Sequence, residues 1–254
     1  MGAAGRCVQK AWRDNHDPGE QRVFLKTSCL VIFMHLPIYR KHEEHPCARR
    51  VVVRIPMMGR RGGGCMGIFQ SLMKQRRSIR EYKEKDVPIS VIRELIADAC
   101  EAPSAGNRQP WGFIVISNRE LIGRLSEESK KNLLEDMKVI RSPILRMYRP
   151  VLKNPDFNVF YNAPCLVYIT GPTVVHSVPA DCSLAAAYFM FSAAERGLGT
   201  CWVDLGAYIK DETLLDEIGL PKDYRIMAPI IVGYPKTIPA RPPRNEPRIL
   251  KIVT

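Results

Sequence analysis

Two short runs hold the residues best suited to chemistry. Arg76-Arg77-Ser78-Ile79-Arg80 sets three guanidinium groups around a hydroxyl. That set suits a phosphate or the carbonyl edge of a ring, because guanidinium forks match paired oxygens. Taken alone, such a run is more commonly a solvated basic turn. The second run, residues 103–111, reads Pro-Ser-Ala-Gly-Asn-Arg-Gln-Pro-Trp. Its prolines stiffen it, and Gly106 admits backbone closed to other residues. Asn107 and Gln109 each present a donor and an acceptor on one rigid amide. Such a loop suits a flat heterocycle with polar edges. On local chemistry alone, a water-facing connection explains it better. A third group, Arg241, Arg244 and Arg248, either completes an anion site or belongs to an exposed tail.

These runs need elements to position them. Val91, Ile92, Leu95, Ile96 and Ala99 recur at helical spacing, and Phe113 to Ile116 reads as a buried strand. The amide-rich loop therefore leaves a helix and enters a sheet. Ile68 to Gln75 is a short helix pattern before the arginines. Arg119 to Leu125 and Glu127 to Ile140 read as surface helices, after which Pro143, Pro150 and Pro155 break up the chain. Cys165 to Thr170 and Thr200 to Val203 read as strands. Between them Asp181 to Arg196 is a helix with almost no charge, and Gly197 stands at its C-terminal cap. Lys210 to Ile218 reads as a helix. Ile226 to Val232 is a strand in which Pro229 argues for an edge or a bulge. Strands separated by helices imply an α/β or α+β sandwich. No Gly-x-Gly-x-x-Gly stands at a strand-to-helix turn, so a nicotinamide-binding Rossmann unit is unsupported.

The first quarter of the chain differs from the rest. The 254 residues carry a formal charge of +12, of which residues 1–65 hold +7. The body is only mildly basic, so its charge does not call for a nucleic-acid partner. Residues 1–65 hold four of the five histidines and four of the eight cysteines, without periodic pattern. His42-Glu43-Glu44-His45 has the wrong spacing for the helical zinc motif, and no Cys-x-x-Cys pair occurs. No metal site is expected. The apolar patch Cys29 to Met34 is far too short for a bilayer, which needs about 20 residues, and no secretory cleavage pattern follows it. A cytoplasmic location is expected. The reading is a disordered or non-native extension over 1–65 and a folded domain over 66–254, with native synthesis starting near Met66. The intact mass of the protein from its native source tests this, and a mass that includes residues 1–65 refutes it.

Together, the pieces resemble the nitroreductase family. The resemblance covers about Ile68 to Ile252. It is carried by Arg76 to Arg80, Ala102 to Trp111, Asp181 to Val203 with Gly197-Leu198-Gly199-Thr200-Cys201-Trp202, Gly233-Tyr234-Pro235, and Arg244. It implies an α+β three-layer α-β-α sandwich with a central, mostly antiparallel sheet, assembled as an intertwined homodimer. It implies flavin mononucleotide (FMN) at the dimer interface, reduced by NADH or NADPH and reoxidised by a small organic acceptor such as a nitroaromatic, quinone or enone. By the resemblance, Arg76, Ser78 and Arg244 hold the FMN phosphate and ribityl chain, with Arg77 beside them. Arg80 faces the N1/O2 edge of the ring, and Asn107 contacts the ring. Pro103, Ser104 and Ala105 reach the flavin of the other subunit. Val203, Asp204 and Leu205 lay their backbone against the ring, with an amide N–H near N5. No general acid or base is nominated. Relatives that dehalogenate or fragment a flavin leave those activities as alternatives, and nucleic-acid binding through residues 1–65 is a further one.

Overall fold

The computed structural model describes residues 67–139 and 143–254, and the expectations for residues 1–65 lie outside them. The elements in chain order are α1 (Ile68–Gln75), α2 (Ile89–Ala99), β1 (Gly112–Ile116), α3 (Arg119–Val139), α4 (Pro143–Leu152), β2 (Cys165–Pro172), α5 (Val178–Glu195), β3 (Gly199–Trp202), α6 (Glu212–Glu217) and β4 (Tyr224–Gly233). The strands form one sheet in the order β1-β2-β4-β3, every pair antiparallel. This is the α+β architecture expected.

Side-chain alternation divides the core between the two faces of the sheet. Val167, Ile169, Ala228, Ile230 and Val232 pack with Leu95 of α2 and with Ala185, Ala186 and Phe189 of α5. Leu166, Tyr168, Cys201 and Ile231 pack with Leu125 and Leu133 of α3 and with Leu214 of α6. The result is three layers, helix on sheet on helix.

The structure corrects two readings of the sequence and decides a third between its two alternatives. Residues 119–139 form one helix, and part of its polar surface is buried. Ser126, Glu128, Ser129, Lys130 and Asn132 are all buried. Their hydrogen-bonding groups have partners inside the fold, which makes burial tolerable. The proline-interrupted stretch after α3 is helical over 143–152, with Pro150 inside the helix near its end. Pro143 begins that helix, where a missing N–H costs nothing. Finally, β4 is central: its neighbours are β2 and β3, so Pro229 does not mark an edge. A register shift does occur nearby, where Ile169 pairs with Ala228 and Thr170 with Ile226. Met227 is the extra residue of a bulge.

Helix α5 begins at Val178, slightly earlier than its pattern suggests. It ends as expected. Gly197 has φ 71°, and the amide of Leu198 donates to Ala193 O at 2.8 Å. That left-handed cap turns the chain directly into β3.

Candidate functional site

The arginine run lies along the outer edge of β3. Ser78 bridges Thr200 in parallel, and Ile79 N donates to Thr200 O at 3.0 Å. An extended segment places alternate residues on one side, so Arg76, Ser78 and Arg80 share a face while Ile79 turns inward. Ile79 is 3% exposed. Gly199 makes that approach possible, since a Cβ there would lie 2.6 Å from Ile79 Cγ1. Tyr82 anchors the far end of the run, donating from its hydroxyl to Ile79 O at 2.8 Å.

The electrostatics of this edge are unbalanced. Among the described residues, none of Arg76, Arg77, Arg80 and Arg244 pairs with a carboxylate. Burial, and then the charge of Arg244, push the Arg76 guanidinium below its ordinary pKa. The tail thus brings Arg244 within electrostatic reach of Arg76. Burial raises the Cys201 thiol, while Arg80, the Ser78 hydroxyl and Arg76 oppose that rise. Arg80, Ser78 and Arg76 thus all lie within electrostatic reach of Cys201. Arg77 donates to Lys74 O at 2.6 Å and to Arg76 O at 2.7 Å, while its buried Nε has no partner among the described residues. A cavity of about 220 Å³ lies beside Arg76 and Arg77, lined also by Ile79, Leu198, Thr200 and Ile238 but not by Ser78, Arg80 or Arg244. Like charges gathered without counter-charge among the described residues, beside a cavity, suit an anion.

The strand end beyond β3 is held from α3. Val203 N donates to Pro229 O at 2.8 Å, and Asp204–Ala207 then forms a 3-10 turn. Ser129 Oγ donates to Leu205 O, and Asn132 Nδ2 donates to Tyr208 O at 2.8 Å. Glu128 accepts from Asn132 at 2.7 Å and from the amide of Asp211 at 3.2 Å. The buried polar face of α3 therefore fixes the backbone of residues 203–211. The first amides of a helical turn have no partner within it, which leaves Asp204 and Leu205 able to donate. Asp204 is exposed and Val203 buried. The α3 residues gave no signal in the sequence, because polar side chains on a long charged helix read as solvated.

The amide-rich loop is a compact unit elsewhere. Ala105–Asn107 forms a 3-10 turn, with left-handed backbone at Gly106, Asn107 and Gln109. Ser104 O accepts from Asn107 N at 2.9 Å, and Ser104 Oγ accepts from Gln109 N at 2.9 Å. Gln109 Nε2 donates to Asn107 Oδ1 at 2.9 Å. Pro103, Ala105 and Asn107 are exposed. The loop is tied to the first turn of α5, where Asp181 Oδ1 accepts from Ala105 N at 3.0 Å. Asp181 is 3% exposed and its other oxygen has no partner among the described residues. A buried carboxylate kept for one backbone bond signals positioning, and no local pattern in the sequence announces it. Asp181→Ala should speed hydrogen exchange at the Ala105 amide about 10- to 100-fold, for the loss of a charge-assisted bond. Asp181→Asn keeps an acceptor and should restore most of the protection. Equal exchange in both variants and the wild type would remove Asp181 from this role.

Arg76 and Arg77 sit at the other end of α5, where Ala194 and Gly197 line the cavity beside them. From Asp181 to Ala194 the helix rises about 20 Å. One chain therefore brings Arg76, Arg77, Ser78, Arg80 and Arg244 together, and keeps Pro103, Ser104, Ala105 and Asn107 apart from them.

A larger cavity, about 780 Å³, lies between α3 and the 155–162 segment. Its charges are largely paired with one another or with neighbours, including Arg124 with Glu217 and Lys131 with Glu128. That pairing leaves less for a ligand than the arginine edge offers.

Comparison with known proteins adds a family to this geometry. A family model described as the nitroreductase family matches residues 73–234. A protein of Archaeoglobus fulgidus named as an NADH dehydrogenase/NAD(P)H nitroreductase is 29% identical, over 63% of this chain and 82% of its own length. The iodotyrosine deiodinase of Thermotoga neapolitana is 27% identical, over 71% of this chain and 96% of its own. Among solved structures, a nitroreductase with bound FMN from Bacteroides fragilis superimposes with a TM-score of 0.61 at 20% identity, covering 74% of this chain and 99% of that one.

Proposed function

The chain belongs to the nitroreductase family, and from that premise we propose that it is an FMN-dependent oxidoreductase using NADH or NADPH to reduce a small organic acceptor. The observation that carries the reading is the cluster of Arg76, Arg77, Arg80 and Arg244 around Ser78, without a carboxylate partner among the described residues. The residues fit FMN, whose phosphate supplies the missing negative charge. When bound, FMN supplies two-electron chemistry, taking hydride from the nicotinamide at N5 and passing electrons to the acceptor.

Each residue then has a defined task. Arg76, Ser78 and Arg244 hold the phosphate and ribityl chain, with Arg77 beside them. Arg80 presents a cation to the N1/O2 edge, where reduction places negative charge. Val203, Asp204 and Leu205 lay backbone against the ring, and a free amide at the turn is available to N5. The names of the relatives support this reading: NAD(P)H nitroreductase, iodotyrosine deiodinase and an FMN-bound nitroreductase.

The site also needs a second copy. A loop and a cluster at opposite ends of one helix meet when two such helices pair antiparallel. Helix α5 suits that pairing, because Leu184 and Tyr188 are more than 40% exposed on its outer face. Phe69 and Met73 of α1 extend the apolar surface. We assign Asn107 to the same flavin as Pro103, Ser104 and Ala105, because hydrogen bonds make the loop one body. Cys100, Cys165, Cys182 and Cys201 are free thiols, which fits a reducing, cytoplasmic setting. No helix among the described residues is long and apolar enough to cross a membrane.

The test is anaerobic. The full chain, incubated with FMN and desalted, should retain flavin absorbance and sediment as a dimer. NADH or NADPH should bleach it, and one of a panel of nitroaromatics, quinones, enones and iodinated phenols should restore the colour. A chain that retains no FMN refutes the reading. A monomer that binds FMN with full affinity refutes the shared site.

A further inference from the structure

Tyr161 adopts a conformation that no local rule requires. Its φ is 54°, and that of Asn162 is 52°. A bulky side chain in the left-handed region is a true outlier, maintained only where its surroundings over-determine it. Here Asn158 does so. Its carbonyl accepts from Tyr161 N at 2.9 Å and its side-chain oxygen accepts from Phe160 N at 2.8 Å. Phe160 is fully buried beside this corner. The strained turn points the Tyr161 ring at Arg80, whose Cζ lies 5.6 Å from the ring centroid. Phe157 braces that ring edge-on, at 5.7 Å and 86°.

Arg80 is otherwise unheld. It is exposed and has no carboxylate partner among the described residues. We propose that Tyr161 is a positioning residue that holds the Arg80 guanidinium at the reducible edge of the flavin while leaving its charge intact. This rests on the assignment of Arg80 to the N1/O2 edge. The choice of an aromatic ring has a physical reason. A carboxylate would hold Arg80 as firmly but would cancel the positive charge that the reduced ring needs. The negative face of a ring attracts the cation without neutralising it.

Two variants separate positioning from folding. Tyr161→Asn removes a ring packed against the core and Phe157 but suits left-handed backbone, so the strain relieved should offset part of the packing lost, and urea unfolding checks that the variant is folded. With FMN bound, its flavin should be harder to reduce. The preference for reduced over oxidised flavin should fall about two- to five-fold, a drop of about 10–20 mV in the two-electron midpoint potential. Tyr161→Phe keeps the ring face and should restore the wild-type potential. FMN affinity, set mainly by the phosphate cluster, should change less than about two-fold in both. If Tyr161→Asn holds FMN at the wild-type potential, the positioning role is wrong while the flavin site stands. If the wild-type chain holds no FMN, both fall.

Discussion

Arg76→Ala should raise the dissociation constant for FMN about 10- to 100-fold. The estimate follows from losing hydrogen bonds to a charged group, each worth about 1.5–3 kcal/mol. Arg76 has this weight from its surroundings: it is half-buried at the end of α1, within electrostatic reach of Arg244, with no carboxylate partner among the described residues. The same surroundings predict an opposite effect on the empty protein. Arg244 already disfavours a charged Arg76, so removing the guanidinium relieves repulsion. The variant without FMN should melt no lower than the wild type, yet gain much less stability when FMN is added. Riboflavin provides the control. It lacks the phosphate, so its affinity should hardly change. Titration by flavin fluorescence at fixed ionic strength checks each point. An equal loss for FMN and riboflavin would move Arg76 from the phosphate to the ring or to the fold. Arg76→Lys should restore only part of the affinity, because a point charge does not reproduce a fork.

Gly199→Ala should damage fold and site together. The new methyl would lie 2.6 Å from Ile79 Cγ1 and 2.8 Å from Ile79 Cβ. A Cβ cannot rotate out of the way, so the segment 77–80 must lift from β3. The hydrogen bond from Ile79 N to Thr200 O lengthens, and the shared face of Arg76, Ser78 and Arg80 loses its spacing. Overpacking of this kind costs about 1–3 kcal/mol. Urea unfolding reads the stability loss, and FMN titration of the folded fraction reads the site. A variant that loses stability but binds FMN normally would show that β3 supports the fold without shaping the cradle. Ile79→Ala combined with Gly199→Ala should cost less than the two changes summed, because the residues are in contact.

Much of the site was legible as chemistry and little of it as geometry. The three arginines around Ser78 read as an anion site only beside the other runs, and the structure adds why Arg76, Ser78 and Arg80 share one face: an extended segment pinned by Ile79 alternates its side chains. Asn107 and Gln109 offered amide groups that a water-facing loop explained as well. Their left-handed backbone, and the bond between their side chains, depend on Ser104 and Gly106 close by. Tyr161, Asp181 and the α3 residues Ser129 and Asn132 were not legible. Each acts through a partner far away in sequence: Tyr161 on Arg80, Asp181 on Ala105, Ser129 on Leu205 and Asn132 on Tyr208.

By itself the sequence determined what depends on neighbours a few positions apart. The spacing of Ile92, Leu95 and Ala99 makes α2, the β-rich run from Cys165 makes β2, and Gly197 ends α5 because only glycine takes that turn without strain. Tertiary structure decided the rest. It kept α3 continuous by burying its polar side chains against the 203–211 segment. It placed β4 in the middle of the sheet despite Pro229, because β2 and β3 each found an edge to pair with. Above all, it set the amide loop and the arginine cluster toward opposite ends of α5, along which Asp181 and Ala194 lie about 20 Å apart. Local patterns fix which groups a chain offers, since they arise from contacts within one helical turn or one pleat. Which groups meet depends on how distant segments pack, and in this protein that packing separates the amide loop from the arginine cluster along one helix.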